Sequence, residues 1–185
     1  MRKIFKIILA IFAVIIIIVV AFGVLILLDV AAYTATGSQI LKPIGTSIGK
    51  AIVIYDPGLS GTAKGVADKI ASDLQAESYT VTETGVRSSA ASNTTDYSII
   101  VVGGPVYAGA LTSSVKDSLN GISISQSTKV GVFGSGQGST SQDDIAQLKN
   151  SMPTRFDLSN AVVVKIGSSE DLSTRAQDFV NQLLS

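Results

Sequence analysis

The hydrophobic pattern divides the chain into an apolar N-terminal segment and a longer part in which short apolar runs alternate with amphipathic ones. From Ile7 to Leu28, twenty-two consecutive residues carry no charged or polar side chain. About 20 helical residues cross the hydrocarbon core of a bilayer, so this run predicts a transmembrane anchor over residues 1–29. The alternatives are a buried core helix and a signal peptide cleaved near Ala31 and Ala32, whose apolar region is usually only about 7–15 residues long.

The flanks of the apolar run predict its orientation. Arg2, Lys3 and Lys6 precede the run, whereas the first basic residue after it is Lys42. The positive-inside rule then predicts a single-pass protein with a cytoplasmic N-terminus and an extracytoplasmic domain, and a cytosolic domain is the alternative. Residues 30–49 mix Gly, Ser, Thr and Pro with isolated apolar residues and show no sustained period, which predicts a tether.

From residue 50 onward, strand and helix patterns alternate. Apolar residues at helical spacing predict the helices, for example at Val66, Ile70 and Leu74. Near-continuous Val/Ile strands between amphipathic helices are typical of a parallel sheet covered on both faces. We therefore predict a three-layer, doubly wound α/β domain over residues 50–185. Its five predicted strands, all parallel, lie at residues 51–55, 79–84, 98–102, 129–133 and 161–166.

The composition excludes several kinds of chemistry. The chain has 185 residues and contains neither Cys nor His, so it has no thiolate or imidazole metal ligand and no Ser-His-Asp triad. The formal net charge of zero argues against nucleic-acid binding. A phosphorylated receiver domain would need an aspartate at the end of the third strand, where residues 102–104 are Val-Gly-Gly. The functions that these exclusions leave are chemistry supplied by a bound cofactor and binding without chemistry.

Three segments resemble the flavodoxin family. Residues 51–74, AIVIYDPGLSGTAKGVADKIASDL, resemble its first strand, phosphate loop and first helix. Residues 96–119, DYSIIVVGGPVYAGALTSSVKDSL, are similar to the third strand and the flavin loop after it, and residues 129–152 resemble the fourth strand and its ring-contacting loop. The resemblance covers essentially residues 50–185, and it implies the strand order 2-1-3-4-5 and FMN as cofactor.

The resemblance also implies which residues hold the cofactor. The FMN phosphate would lie at the start of the first helix of the domain, where free backbone N–H groups favour an anion. The flavin ring would lie between two later loops, with Tyr107 as the stacking candidate. The residues implied for the phosphate are Ser60, Gly61, Thr62 and Ala63, and those for the ring are Pro105, Val106, Tyr107, Ala108, Gly109, Gly134, Ser135, Gly136 and Gln137.

The phosphate loop departs from the family pattern at three positions. Ala63 stands where the family usually has a threonine hydroxyl, and Pro57 removes a backbone N–H. The carboxylate of Asp56, about 6 Å from a phosphate, would cost about 3 kcal/mol at an effective dielectric constant near 20, unless it points away or caps the turn. Two alternatives also stay open: Ser60 as a plain helix cap, and Tyr107 as a packed surface aromatic.

Two functions follow as hypotheses. The first is a membrane-anchored flavodoxin-like protein that binds FMN for electron transfer or flavin-dependent reduction, with a quinone or a redox protein as partner and residues 7–28 in the lipid bilayer. The second is a flavin-free binding or scaffold module displayed on the membrane. We expect neither a metal site nor a catalytic side chain, because Asp143 and Asp144 are best explained as negative charge in the first turn of a helix.

Overall fold

The computed structural model describes residues 2–32, 35–125, 127–154, 156–157, 159 and 161–185, and the chain forms two compact units, residues 1–33 and 34–185. The first unit is a single helix, α1, Arg2–Ala32. Its described apolar side chains between residues 9 and 24 are exposed. Among the residues described, no helix meets the length and hydropathy that a membrane crossing requires, so the predicted transmembrane helix is not supported. The side chains of residues 7–8 and 25–28, at the two ends of the predicted run, lie outside the described part.

The second unit alternates strands and helices along the chain. Each predicted strand and helix of residues 50–185 is present, most of them with longer bounds. The order is β1 Ser38–Leu41, β2 Gly49–Tyr55, α2 Thr62–Ala76, β3 Tyr79–Gly85, a 3-10 turn Ser89–Ser92, β4 Ile99–Tyr107, β5 Ala110–Leu111, α3 Ser113–Gly121, β6 Lys129–Gly136, α4 Gln142–Asn150, β7 Ala161–Gly167 and α5 Leu172–Leu184.

The sheet of the described residues has seven strands in the order β1-β3-β2-β4-β6-β7, with β5 paired to β4. Strands β3, β2, β4, β6 and β7 run parallel to their neighbours, whereas β1 and β5 are antiparallel. The prediction of five strands is therefore wrong, and the order of the whole sheet differs from the predicted one by the two added strands. The five parallel strands alone follow the predicted order 2-1-3-4-5, as β3-β2-β4-β6-β7. The difference arises because β1, within the predicted tether, adds to the edge of β3, and because β4 continues into a hairpin with β5.

The core lies on both faces of the sheet. Alternate residues of β2 show this: Ala51, Val53 and Tyr55 face one apolar cluster, while Ile52 and Ile54 face the other. Helices α2 and α5 contribute to the first cluster, and α3 and α4 contribute to the second. Because the helices cover both faces, ligand access to this domain is expected at the carboxyl ends of the parallel strands.

Candidate functional site

The connection between β2 and α2, residues 56–61, depends on two glycines with positive φ. Gly58 has φ 64° and Gly61 has φ 71°, a region that residues with a side chain rarely adopt. A Cβ atom on Gly58 would lie 2.8 Å from Pro105 Cγ, whereas Gly61 faces open space. Gly61 is the N-cap residue of α2 and no side chain caps the helix. The N-cap position is thus occupied by Gly61, while the Ser60 hydroxyl accepts a long hydrogen bond from the N–H of Thr62 at 3.4 Å.

The start of α2 presents several hydrogen-bond donors to solvent. The hydroxyls of Ser60 and Thr62 are exposed and their oxygens lie 2.9 Å apart. For the backbone N–H groups of Ser60, Gly61 and Ala63, no hydrogen bond is found within the described chain. Free N–H groups at a helix N-terminus, together with the helix dipole, favour an anion. We call these two hydroxyls and three N–H groups the α2 cradle.

The carboxylate of Asp56 is directed into the protein framework. Its Oδ1 accepts a hydrogen bond from the N–H of Gly58 at 3.0 Å. Its Oδ2 accepts from the Thr112 hydroxyl at 3.0 Å and from the Ser114 hydroxyl. Asp56 thus caps its own turn and ties it to the start of α3. These three donors stabilise the carboxylate in an orientation that caps the turn, which is the case in which the predicted repulsion of a phosphate is smaller.

Lys64, in the first turn of α2, is held by its own helix. Its Nζ donates to Oδ1 of Asp68 at 2.5 Å and lies 5.8 Å from the ring centroid of Tyr55. The hydrogen bond to Asp68 raises the pKa of Lys64. The cradle therefore presents hydroxyl and backbone donors, while the nearest ammonium is engaged elsewhere.

The second predicted segment, Pro105–Gly109, is the end of β4 and a hairpin turn. Val106 pairs with Leu111, and Tyr107 pairs with Ala110. The turn residues Ala108 and Gly109 have φ 49° and φ 80°, the pattern of a two-residue turn with both central φ values positive. The side chain of Ala108 makes this conformation costly, by about 1–2 kcal/mol.

Tyr107 extends from the hairpin to the loop between β2 and α2. Its side chain is half exposed, at 48%, and its hydroxyl accepts a long hydrogen bond from the N–H of Leu59 at 3.4 Å. The structure thus brings the first two predicted segments together, and Tyr107 leaves about half of its surface for another group.

The third predicted segment, Gly134–Gln137, consists of the last residues of β6 and the residue after it, and it lies beside the hairpin. Gly134 pairs with Gly104 and Ser135 pairs with Pro105 in the parallel register of β4 and β6. A Cβ atom on Gly134 would lie 2.5 Å from Val106 Cγ2, so the close approach of the two strands requires a glycine there.

A buried lysine of the neighbouring strand packs against this third segment. Lys165 of β7 is 7% exposed, and its Nζ donates to Oδ1 of Asp144 at 2.7 Å. Its Cε would lie 3.1 Å from a Cβ on Gly136. Asp144 also accepts hydrogen bonds from Ser141, and the bond from Lys165 holds the pKa of Asp144 well below its ordinary value. The pair thus connects β7, the loop after β6 and the start of α4.

The thirteen predicted site residues meet along one edge of the sheet, with different exposure. The exposed ones are Ser60, Thr62, Tyr107, Ala108 and Gln137; the half-buried ones are Gly61, Val106, Gly109 and Gly136; and the buried ones are Ala63, Pro105, Gly134 and Ser135. Ala63 and Ser135 are buried as whole residues, so a ligand could reach them only through backbone groups beneath their exposed neighbours.

Sequence reasoning missed three supporting residues. Thr112 and Ser114 lie far along the chain from Asp56, and no local pattern links them to it. Lys165 did leave a signal, because it is a lone charged residue within the apolar run Ala161–Ile166.

The fold of residues 34–185 is flavodoxin-like. Oxidised flavodoxin 2 from Bacillus cereus matches with TM-score 0.50 and 19% identity, over 73% of this chain and 97% of that one. A short-chain flavodoxin associated with a bacterial microcompartment gives 0.51 and 20%, over 73% and 95%. A Streptococcus pneumoniae flavodoxin gives 0.51 and 22%, over 73% and 97%. At these identities the likeness shows the fold alone.

Comparisons of sequence add nothing to this likeness. The chain matches no protein-family model, and it matches no curated protein.

Proposed function

We propose that the domain binds FMN and takes part in electron transfer or flavin-dependent reduction. The α2 cradle carries this proposal, because it combines two exposed hydroxyls and three free N–H groups at the start of a fifteen-residue helix. The flavodoxins with the same fold support it. The second hypothesis, a flavin-free binding module, is the outcome if FMN does not bind.

The donor chemistry of the cradle fits a phosphate. Ser60 and Thr62 would donate through their hydroxyls, and Gly61 and Ala63 through their backbone N–H groups. The missing hydroxyl at Ala63 removes one donor from the family pattern but leaves its N–H. Asp56 does not oppose a phosphate strongly, because Gly58, Thr112 and Ser114 already donate to its carboxylate.

The flavin ring would lie against the hairpin and the loop after β6. Tyr107 would cover one face with its exposed half, and Gly136 and Gln137 would offer backbone groups to the polar edge. When bound, FMN supplies the redox chemistry that a chain without Cys and His cannot supply from its own side chains. The role of the protein is to hold the ring, limit its contact with water and tune its potential.

We further propose that residues 7–28 associate with a lipid bilayer, with the N-terminus cytoplasmic and the domain outside. The uncharged run and the exposure of its described side chains support this, since a helix that is apolar all round needs an apolar environment. The electron partner would then be a membrane quinone or another redox protein. Protease digestion of intact cells tests the topology: an extracytoplasmic domain is cleaved without lysis, and a cytosolic one is protected.

Flavin binding is tested on the full-length protein in detergent. We expect added FMN to co-elute with the protein in gel filtration and to be reduced reversibly by dithionite while bound. Elution of all flavin in the small-molecule fraction at micromolar protein would favour the flavin-free module.

A further inference from the structure

A buried carboxyl group lies beneath the edge strand of the sheet. Glu83 of β3 is 2% exposed, and it pairs with Gln39 of β1 in the antiparallel register. The amide Nε2 of Gln39 donates to Oε2 of Glu83 at 2.9 Å. The edge strand therefore covers an ionisable side chain and contacts it directly.

Charged and aromatic groups from two further elements face Glu83. From α2, Lys64 Nζ lies 4.0 Å from Oε1 of Glu83, and Asp68 shares a hydrogen bond with the same carboxyl. From β2, the ring of Tyr55 lies beneath the Lys64 ammonium. Burial raises the pKa of Glu83 to about 7, and the hydrogen bond with Asp68 adds to the rise. Glu83 is thus neutral in mild acid and ionised in mild alkali.

An open pocket lies at this place, between the edge segment and the start of α2. Its volume is about 240 Å³, and it is lined by Gly37, Ser38, Gln39, Tyr55, Lys64 and Glu83. The segment that carries β1 forms one wall of this cavity. A small outward movement of that segment would admit water to Glu83.

The edge segment is held by backbone pairing with β3 on one side and by Leu41, which packs against the first apolar cluster. Strand β1 has four residues, all exposed or half-buried. Beyond the strand, the N–H of Gly85 donates to the carbonyl of Gly37 at 2.9 Å, and the N–H of Arg87 donates to that of Ala35 at 3.0 Å. A Cβ atom on Gly85 would lie 2.2 Å from the Ala35 oxygen, so this docking requires glycine at position 85.

We propose that Glu83 is a proton-dependent latch that keeps residues 35–41 docked on the domain when it is neutral and releases them when it is ionised. An ionised Glu83 is costly in the docked state, because it is buried beside the Asp68 carboxylate and one ammonium serves both. Release of the segment lets water solvate the new charge. The latch is independent of flavin binding, and the released segment is residues 35–41.

The direction of the pH effect follows from the raised pKa. The docked state holds the proton of Glu83 up to about pH 7, whereas an exposed glutamate loses it near pH 4.3. Docking is therefore strongest below about pH 4.3, weakens as the pH rises towards 7, and changes little above that.

Hydrogen exchange at the N–H groups of Gly85 and Arg87 tests the latch, because both donate to the docked segment. We expect their protection factors, corrected for intrinsic exchange, to fall at least about tenfold between pH 5 and pH 8. Amides of the central strand β4 should not change, which separates release of the segment from global unfolding.

Three variants make the test specific. E83Q cannot ionise and should stay protected at both pH values, whereas the exposed control E77Q should behave as the wild type. G85A should lower the protection factor of the Arg87 N–H at both pH values. A wild-type protein with pH-independent protection, or an E83Q variant with the wild-type fall, would overturn the proposal. If E83Q does not fold, the test is the NMR chemical shift of the Glu83 carboxyl carbon in the wild type, followed as a function of pH. The midpoint of this titration must coincide with the midpoint of the loss of protection. Midpoints more than about one pH unit apart would overturn the latch.

Discussion

The carboxylate of Asp56 accepts a hydrogen bond from the hydroxyl of Thr112 at 3.0 Å, and this contact ties the end of β2 to the start of α3. The same carboxylate accepts from the N–H of Gly58 and from the hydroxyl of Ser114. A charge that the sequence places beside the phosphate loop thus serves as a structural acceptor for two neighbouring turns.

Replacing Asp56 with alanine should therefore destabilise the domain. Three buried or half-buried donors would lose their acceptor, and we expect a loss of about 1–3 kcal/mol in the free energy of unfolding. Urea denaturation of D56A and of the exposed control D178A measures it. A loss in D56A no larger than that in D178A would show that Asp56 is not a structural acceptor.

The two glycines of the loop between β2 and α2 should differ in their tolerance of alanine. Both have positive φ, so G58A and G61A share a backbone cost of about 1–2 kcal/mol. Only G58A also forces a Cβ atom against Pro105, which should add about 1 kcal/mol or more. Thermal unfolding of the two variants compares them directly, and equal midpoints would contradict the close packing of Gly58 on Pro105.

Tyr107 should contribute to flavin affinity through its ring. We expect Y107A to weaken FMN binding by about 1 kcal/mol or more, because the exposed half of the ring would stack on the flavin. Y107F removes only the long hydrogen bond from Leu59 and should bind nearly as the wild type does. Fluorescence titration with FMN measures both affinities, and an unchanged affinity in Y107A would remove Tyr107 from the site.

Acid should weaken the ion pair between Lys165 and Asp144. The hydrogen bond from Lys165 lowers the pKa of Asp144, so the stability that this pair provides is present above about pH 4 and is lost as the pH falls through the lowered value. D144N lacks this contribution and leaves Lys165 without its ion-pair partner.

Melting temperatures between pH 6 and pH 2 check this prediction. D144N should melt well below the wild type at pH 6, and the gap should narrow as the pH falls. The neighbouring exposed variant D143N is the matched control and should follow the wild type. A gap between D144N and the wild type that does not change with pH would contradict the prediction.

The parallel strands and their helices could be predicted because each has a strong local pattern. The runs at β2, β4 and β7 are rich in β-branched residues, since both faces of each strand are buried. The three loops of the candidate site follow from the same pattern, because parallel strands end at one edge. Their convergence there is also what the resemblance implies.

The two short antiparallel strands could not be predicted in the same way. Strand β1 is a four-residue segment that contacts the sheet on one side only, and its pairing with β3 depends on Gly85, more than forty residues away. Strand β5 has two residues and depends on the positive φ of Ala108, a residue type that does not signal such a turn.

The orientation of side chains also could not be predicted from local sequence patterns. Whether Asp56 opposes or tolerates a phosphate depends on Thr112 and Ser114, which are distant in the sequence. Glu83 did carry a signal, because it shares a strand face with Val81 and a charged residue on a buried face calls for a partner. That partner, Gln39, lies in the segment predicted as a tether.

The comparison of FMN with riboflavin tests the central proposal most directly, because the two differ only in the phosphate. Fluorescence titrations of the full-length protein and of the double variant S60A/T62A measure both affinities. We expect the wild type to bind FMN at least about tenfold more tightly than riboflavin, and the double variant to lose most of that preference. Equal affinity of the wild type for the two flavins, or no binding of either at micromolar concentration, would contradict a phosphate site at the start of α2.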